Sequence, residues 1–417
     1  MRKFHLVLIL ISIFTNMVSA QEKTSMTEYL GSAFESSLVK SDSDNFSFLK
    51  EYNYNLPLIK SVDLRSETRD FLLQRQEYSM RVKPNSLKAI ANQKKIYQNR
   101  LEKIQIDNHQ NFNQELKKRY TLLVDYLFAE ELMKLETERS HNLRDKLKIL
   151  GQQIYDANFD IKDLIESEDE LLSLELKLSN LKNLQGRQYS LLRELLNFQG
   201  DSLVLDFNNL ISPRQIMEAP LNGISLESLE VTQQKLKLKT IENEMEFNLA
   251  KSNQLLDYVQ AKYVGSDNII FDETVSIGIG INLPFFGNNR QRKGDYYFER
   301  LSEESKLNQL VETKEYIQNQ TRDEFNKVVL NYRTLTKQME ESSVSLILES
   351  YKKMDGVSPL LLLNLVITQN NKELQALKSK HQLYKFYIEA LVAQGKLFQK
   401  PLRNYLSANV EFITSIN

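Results

Sequence analysis

The chain has 417 residues, 54 Lys and Arg against 55 Asp and Glu, and neither Cys nor Trp. The near-neutral balance gives no footing for a nucleic-acid partner, and 12 Gly with 7 Pro exclude a collagenous or loop-dominated chain. The lack of Cys fits an oxidising compartment, where a stray thiol is a liability.

Residues 1–20 read as a secretory signal peptide. Arg2 and Lys3 supply the positive start, Leu6 to Val18 the apolar run, and Val18-Ser19-Ala20 the cleavage site. The alternative, an N-terminal anchor, needs a longer apolar run. No Cys follows the cleavage site, so a lipid anchor there is excluded. No later stretch approaches the ~20 apolar residues of a membrane helix. After export the chain is either soluble or enters a membrane as strands.

The remainder divides into a first repeat over 21–200, a linker over 201–224, a second repeat over 225–395 and a tail over 396–417. In the first repeat a helix is expected from Thr27 to about Tyr52, broken at Ser41-Asp42-Ser43-Asp44. A hairpin of two strands follows at about 58–83. Pro84-Asn85-Ser86 then opens a helix to about Ile149, which would be roughly 100 Å long at 1.5 Å per residue. Gly151 to Asp160 breaks it, and a further helix runs to Phe198, ended by Gly200 and Asp201. Pro213, Pro220 and Gly223 punctuate the linker.

The second repeat starts at Ser225-Leu226-Glu227-Ser228, a helix N-cap. Its helix is expected to reach Asp257, its hairpin to span about 258–283, and its return helix to run from Arg290 to Lys353. Asp355-Gly356 breaks that helix, and Ser358-Pro359 begins the last one, to about Gln394. Leu178, Leu181, Leu192 and Leu195 align with Leu374, Leu377, Ile388 and Leu391 at one constant offset, and Pro84 and Pro284 end strands at equivalent points. That shared order reads as an internal duplication. The stripes Leu171, Leu174, Leu178, Leu181, Gln185, Gln188, Leu192, Leu195 and Leu374, Leu377, His381, Tyr384, Ile388, Leu391 step by three and four, the spacing of a coiled-coil seam.

The strands are two-faced. In Val275-Ser276-Ile277-Gly278-Ile279-Gly280-Ile281-Asn282-Leu283 the odd positions are large and apolar and the even ones small or polar. Tyr78, Met80 and Val82 alternate with Ser79, Arg81 and Lys83; Val62 and Leu64 with Asp63, Arg65, Glu67 and Arg69; Val259, Ala261 and Tyr263 with Gln260 and Lys262. A soluble sheet lying on helices could carry this pattern. A membrane barrel carries it too. Strands of about 9–12 residues are long enough to cross a bilayer at a tilt, and helices this long cannot all fold back over a small sheet. Four strands cannot close a barrel and open edges are not tolerated in lipid, so other copies must complete it. Three chains bring about twelve strands. On that reading Asp63, Arg65, Arg69, Arg75, Arg81, Lys83 and Lys262 line the pore.

At these residues the chain resembles the TolC-like outer membrane efflux proteins. The stretch from Val275 through Leu283-Pro284-Phe285-Phe286-Gly287-Asn288-Asn289-Arg290 is similar to the family's strand, Pro-Leu-Phe-like motif and helix start, as are Asn55-Leu56-Pro57 and Asp355-Gly356-Val357-Ser358-Pro359. The resemblance covers about 27–395. It implies a mainly α protein with membrane β structure, built from a duplicated helix–β-hairpin–helix repeat. It implies a homotrimer with a 12-stranded outer-membrane β-barrel and a long periplasmic coiled-coil barrel. It further implies a passive role in tripartite efflux or type I secretion, with a periplasmic adaptor and an inner-membrane pump as partners. Family members carry acidic residues six and nine positions after the turn glycine, at the closed tip. Leu362 and Leu365 stand there in this chain, while the first repeat has Glu166 and Asp169 at the matching places, with Asp163 nearby. A constriction of mixed leucine and acid is one reading; packing of Leu360–Leu363 between neighbouring hairpins is the other.

No catalytic or metal-binding constellation is legible. The four His, at 5, 109, 141 and 381, show no metal spacing, and no Gly-rich phosphate loop occurs. No cofactor is expected. The alternatives are a soluble periplasmic coiled-coil scaffold or chaperone, and an exported enzyme using paired carboxylates such as Glu166 and Asp169.

Overall fold

Two helices of 66 and 52 residues dominate the computed structural model. It describes residues 22–52, 54–68, 76–155, 159, 161–200, 203–219, 228–265, 275–283, 289–354, 356–409 and 411–414. The expected signal peptide, Arg69, Arg75, the Pro284–Asn288 motif and Asp355 lie outside the described residues. The elements in order are β1 (Glu22–Ser25), α1 (Met26–Gly31), α2 (Ser37–Glu51), β2 (Ile59–Thr68), β3 (Gln76–Pro84), α3 (Leu87–Gln152) and α4 (Ile161–Leu195). Then come β4 (Leu203–Asp206), α5 (Pro213–Glu218), α6 (Leu229–Ser252), β5 (Leu256–Val264), β6 (Val275–Ile281), α7 (Asn289–Glu340), α8 (Ser343–Tyr351), α9 (Pro359–Ala393), β7 (Arg403–Asn404) and β8 (Glu411–Phe412). The chain divides into two compact units, one of residues 1–40, 111–225 and 315–417, the other of residues 41–110 and 226–314.

Helix ends follow local chemistry. Ser86 caps α3, its Oγ accepting from the Ala89 amide, and no Pro interrupts the helix as far as Gln152. Ser228 caps α6 in the same way through the Val231 amide. α6 ends at Ser252, short of the expected Asp257, because β5 already begins at Leu256. At the end of α4 the left-handed residue is Asn197, at φ 51°, and the Phe198 amide reaches back to the Arg193 carbonyl. This Schellman-type closure ends the helix before Gly200 is reached. Gly356, at φ 85°, makes the turn into α9, where Pro359 takes the first helical position.

Two expected breaks fall elsewhere. The first helix is interrupted at Ser36, not at the Ser41–Asp44 run. Ser36 is extended and its Oγ accepts from the Val39 amide, starting α2 afresh. Ser41, Ser43 and Asp44 then lie exposed inside α2, where short polar side chains are tolerated once the helix is nucleated upstream. The return helix of the second repeat is likewise cut at Ser342, which caps α8 through the Val344 amide and accepts from Lys372 on α9 at 2.5 Å.

In the first unit, α3, α4 and α9 pack side by side. The expected stripes supply the layers. Leu143, Leu174 and Ile367 form one cluster and Leu132, Leu181 and Leu374 the next. Leu192, Tyr384, Ile388 and Leu391 join Leu116, Tyr120 and Leu123 in the largest. His381 is half-buried. Its Nε2 lies 2.8 Å from Asp125 Oδ1 and its ring stacks on Phe128 with centroids 3.9 Å apart. Burial pushes the Asp125 carboxyl up, but the bonds from His381 and Lys385 outweigh it and hold the group below its ordinary range.

The linker and the tail both carry structure in this unit. β4 pairs in parallel with β1, and Ser212 and Gln215 form a capping box on α5. From the tail, Leu397, Leu402, Leu406 and Ile413 are buried in the large cluster.

The second unit holds the β2–β3–β5–β6 sheet and parts of α3, α6 and α7. Polar contacts join the helices: Asn99 to Thr240, and Gln233 to both Gln110 and Asp107. Glu303 on α7 is buried and accepts from Lys306 at 2.7 Å, Gln234 at 2.7 Å and Lys237 at 3.0 Å. Those bonds hold its carboxyl at about 2, down from 4.5. A depressed carboxylate adds stability that is complete above its unfolded value and disappears as pH falls through the folded one. Thermal melts of detergent-solubilised protein should therefore lose ground between pH 4.5 and 2. Glu303→Gln should melt lower at pH 7 and show a flatter acid limb; parallel acid profiles for the two proteins would refute this assignment.

Candidate functional site: a two-faced sheet

The two hairpins, far apart in sequence, join into one antiparallel sheet through β3 and β5. Register fixes which residues share a row. Val62, Val82, Val259 and Ile279 lie side by side; so do Leu64, Met80, Ala261 and Ile277, and then Ser66, Tyr78, Tyr263 and Val275. The intervening rows are polar: Asp63, Arg81, Gln260 and Gly278, then Arg65, Ser79, Lys262 and Ser276. Because side chains alternate at every residue, the apolar groups of the first three rows fall on one face and the charges of the next two on the other.

The apolar face is bare. Leu64 is 77% exposed, Ile277 78%, Ile279 64% and Ile281 67%. Among the described residues no helix covers that face. β2 and β6 are the edges, and neither has a second strand partner among the described residues. In water such a surface is an association site or an aggregation hazard.

The polar face is organised by cross-strand contacts. Lys83 lies 3.3 Å from Asp63, Lys262 2.5 Å from Glu77, and Arg65 3.2 Å from Glu67. Arg81 donates through Nη2 to Gln260 Oε1 at 3.0 Å and its guanidinium sits 4.1 Å from the Tyr258 ring centroid. The Tyr258 ring lies against Gly280, where an added Cβ would come within 2.3 Å of it. Gly280 thus makes room for the aromatic ring that carries Arg81. Of the expected pore-lining residues, Asp63, Arg65, Arg81, Lys83 and Lys262 share this face, and Arg69 and Arg75 lie outside the described residues. Glu77 and Tyr258 were not singled out by sequence. Glu77 could have been, since its odd position matches Ser79 and Arg81.

The expected acidic tip residues lie on α4 and the expected leucines on α9. Asp163 accepts from Lys146 at 2.8 Å, Glu166 lies 3.5 Å from Lys162, and Asp169 is exposed. Leu362 and Leu365 are half-buried in the first turns of α9. Among the described residues no three His, Asp or Glu side chains gather to hold a metal ion, and no helix is long and apolar enough to cross a membrane. An open concavity of about 390 Å³ is lined by Tyr316, Asn319, Gln320, Asp323, Glu324 and Lys327, all from α7.

No protein-family model matches the chain, and no curated protein sequence matches it. Solved structures do. The open-state outer membrane channel MtrE of Neisseria gonorrhoeae aligns over 89% of this chain and 88% of its own, with a TM-score of 0.66 at 13% identity. The Vibrio cholerae outer membrane protein VceC aligns over 89% and 96%, with a TM-score of 0.64 at 10% identity. For the Campylobacter jejuni outer membrane channel CmeC the figures are 88%, 84%, 0.58 and 12%. The chain has the fold of the TolC-like outer membrane efflux proteins.

Proposed function

We propose that this chain is one subunit of a passive outer-membrane channel, assembled from three copies, that exports substrates through a tripartite efflux or type I secretion system. One observation carries the reading: an apolar sheet face left bare across four strands whose outer edges β2 and β6 are unpaired within the described chain. Lipid is the solvent that accepts such a face, and it accepts no open edge, since each unsatisfied backbone group there costs several kcal/mol. Three copies joined edge to edge give about twelve strands, wide enough for an aqueous lumen on the charged side. The long helices continue the conduit into the periplasm, where an adaptor and an inner-membrane pump engage it. The hairpin tips near 151–163 and 352–362 are the proposed adaptor contact; Ile154, Tyr155 and Met354 expose apolar surface there.

The test is fractionation of cells making the full chain, followed by detergent extraction, mass measurement and bilayer recording. Membrane-bound protein of three times the chain mass with single-channel steps is expected. A soluble monomer released by osmotic shock would overturn the proposal.

Leu362 and Leu365 are proposed to narrow the tip as an apolar ring that excludes water, with Glu166, Asp169 and Asp163 as the acidic counterpart from the first repeat. Leu362→Asp and Leu365→Asp should each raise conductance by wetting the ring. Unchanged conductance in both would dismiss the leucine gate.

A further inference from the structure

On the described polar face of the sheet, the charges cancel in pairs except one. Asp63 is matched by Lys83, Glu77 by Lys262 and Glu67 by Arg65. Arg81 has no carboxylate within ion-pair distance among the described residues; its partners are the neutral amide of Gln260 and the ring of Tyr258. Asp63 stands directly across from it in register but pairs with Lys83. The guanidinium is also held still. The Tyr258 ring centroid lies 4.1 Å from the guanidinium carbon, Gly280 leaves room for that ring, and Gln260 takes the Nε and Nη2 donors. Nη1 makes no hydrogen bond among the described residues, leaving part of the planar fork available to an anion.

We propose that Arg81 is an anion-attracting, selectivity-determining residue of the barrel lumen, which in the assembled channel forms a ring of one guanidinium per copy. The inference rests on the channel reading above. Paired charges about 3 Å apart present little field to a passing ion, whereas an uncompensated fixed cation raises the local anion concentration within a Debye length. Anionic cargo, carboxylates above all, meets a fork of matching geometry at this level.

The experiment is the zero-current potential of the purified channel across a KCl gradient, with chloride-to-potassium permeability as the readout. Arg81→Gln should lower that ratio by about twofold or more near 0.1 M salt. The effect should shrink toward 1 M, where the Debye length falls from about 10 Å to about 3 Å. Gln260→Glu keeps the shape of the side chain but sets a carboxylate against Arg81, and should give the same shift without removing the arginine. Arg81→Lys should retain most of the wild-type ratio. The double variant Arg65→Gln, Glu67→Gln removes one of the matched pairs and should leave the ratio unchanged. Wild-type potentials in both Arg81→Gln and Gln260→Glu would overturn the inference while leaving the channel reading intact, and so would an equal shift in the double variant. A wild-type protein that conducts no ions would overturn the channel reading itself.

Discussion

Ile277→Arg is expected to abolish insertion of the protein into the outer membrane. Ile277 lies on β6 in the middle of the three apolar rows, beside Ala261 and in line with Met80 and Leu64. At 78% exposure it has almost no packing within its own chain to lose. If its surroundings were water, an arginine there would be neutral or would improve solubility. In lipid, an arginine near the bilayer midplane costs about 2–4 kcal/mol, and a trimer repeats that cost in every copy. Ser276→Glu, one residue earlier, puts a charge of the same magnitude opposite Lys262 on the other face, and insertion should survive. Membrane fractionation and gel analysis of the detergent-extracted oligomer separate the outcomes. Normal insertion of Ile277→Arg would refute a lipid-facing role for the apolar rows.

Arg119→Leu should destabilise the first unit by about 3–5 kcal/mol, the usual cost of removing one member of a buried, hydrogen-bonded charge set. Arg119 on α3 is 1% exposed. Its Nε donates to Ser32 Oγ at 3.0 Å, Nη2 to the Ser32 and Leu195 carbonyls at 3.2 and 3.4 Å, and Nη1 to Glu115 at 2.6 Å. One side chain thus ties the segment after α1 and the final turn of α4 to the middle of α3. Leucine would leave Glu115 without its partner and two carbonyls short of a donor. Arg119→Lys should recover little, because the three donors of a single ammonium nitrogen cannot reach four acceptor atoms spread around a planar fork. Circular-dichroism melts in detergent measure the loss; a melting temperature within experimental scatter of the wild type would show that these bonds are replaced by water at no cost.

Much of this was legible residue by residue. Alternation in Val275–Leu283 sorted that strand's faces with no knowledge of its neighbours, and the three-and-four stepping of Leu174, Leu181, Leu374 and Ile388 named side chains that are buried in the helical layers. Caps at Ser86 and Ser228 and the turn at Gly356 could be read from a few residues of context. Breaks at Ser36 and Ser342 could not, because each Ser has the option of continuing a helix or capping one, and the choice is made by what the flanking turns pack against. The order carried by the linker and the tail was equally hidden, since β4 exists only through its pairing with β1, and Leu402 and Leu406 look unremarkable until a core surrounds them.

What the sequence determined is the two-sided character of the four hairpin strands and the apolar stripes of α4 and α9, because periodicity is a property of consecutive residues and needs no partner. What only the tertiary structure decided is which residues meet. β3 lies against β5, so Arg81 meets Gln260, 179 positions away, and no carboxylate among the described residues, and His381 finds Asp125 across 256. Such pairs depend on strand order, register and helix apposition, and shifting a register by one residue would exchange every partner while leaving the pattern along the chain unchanged.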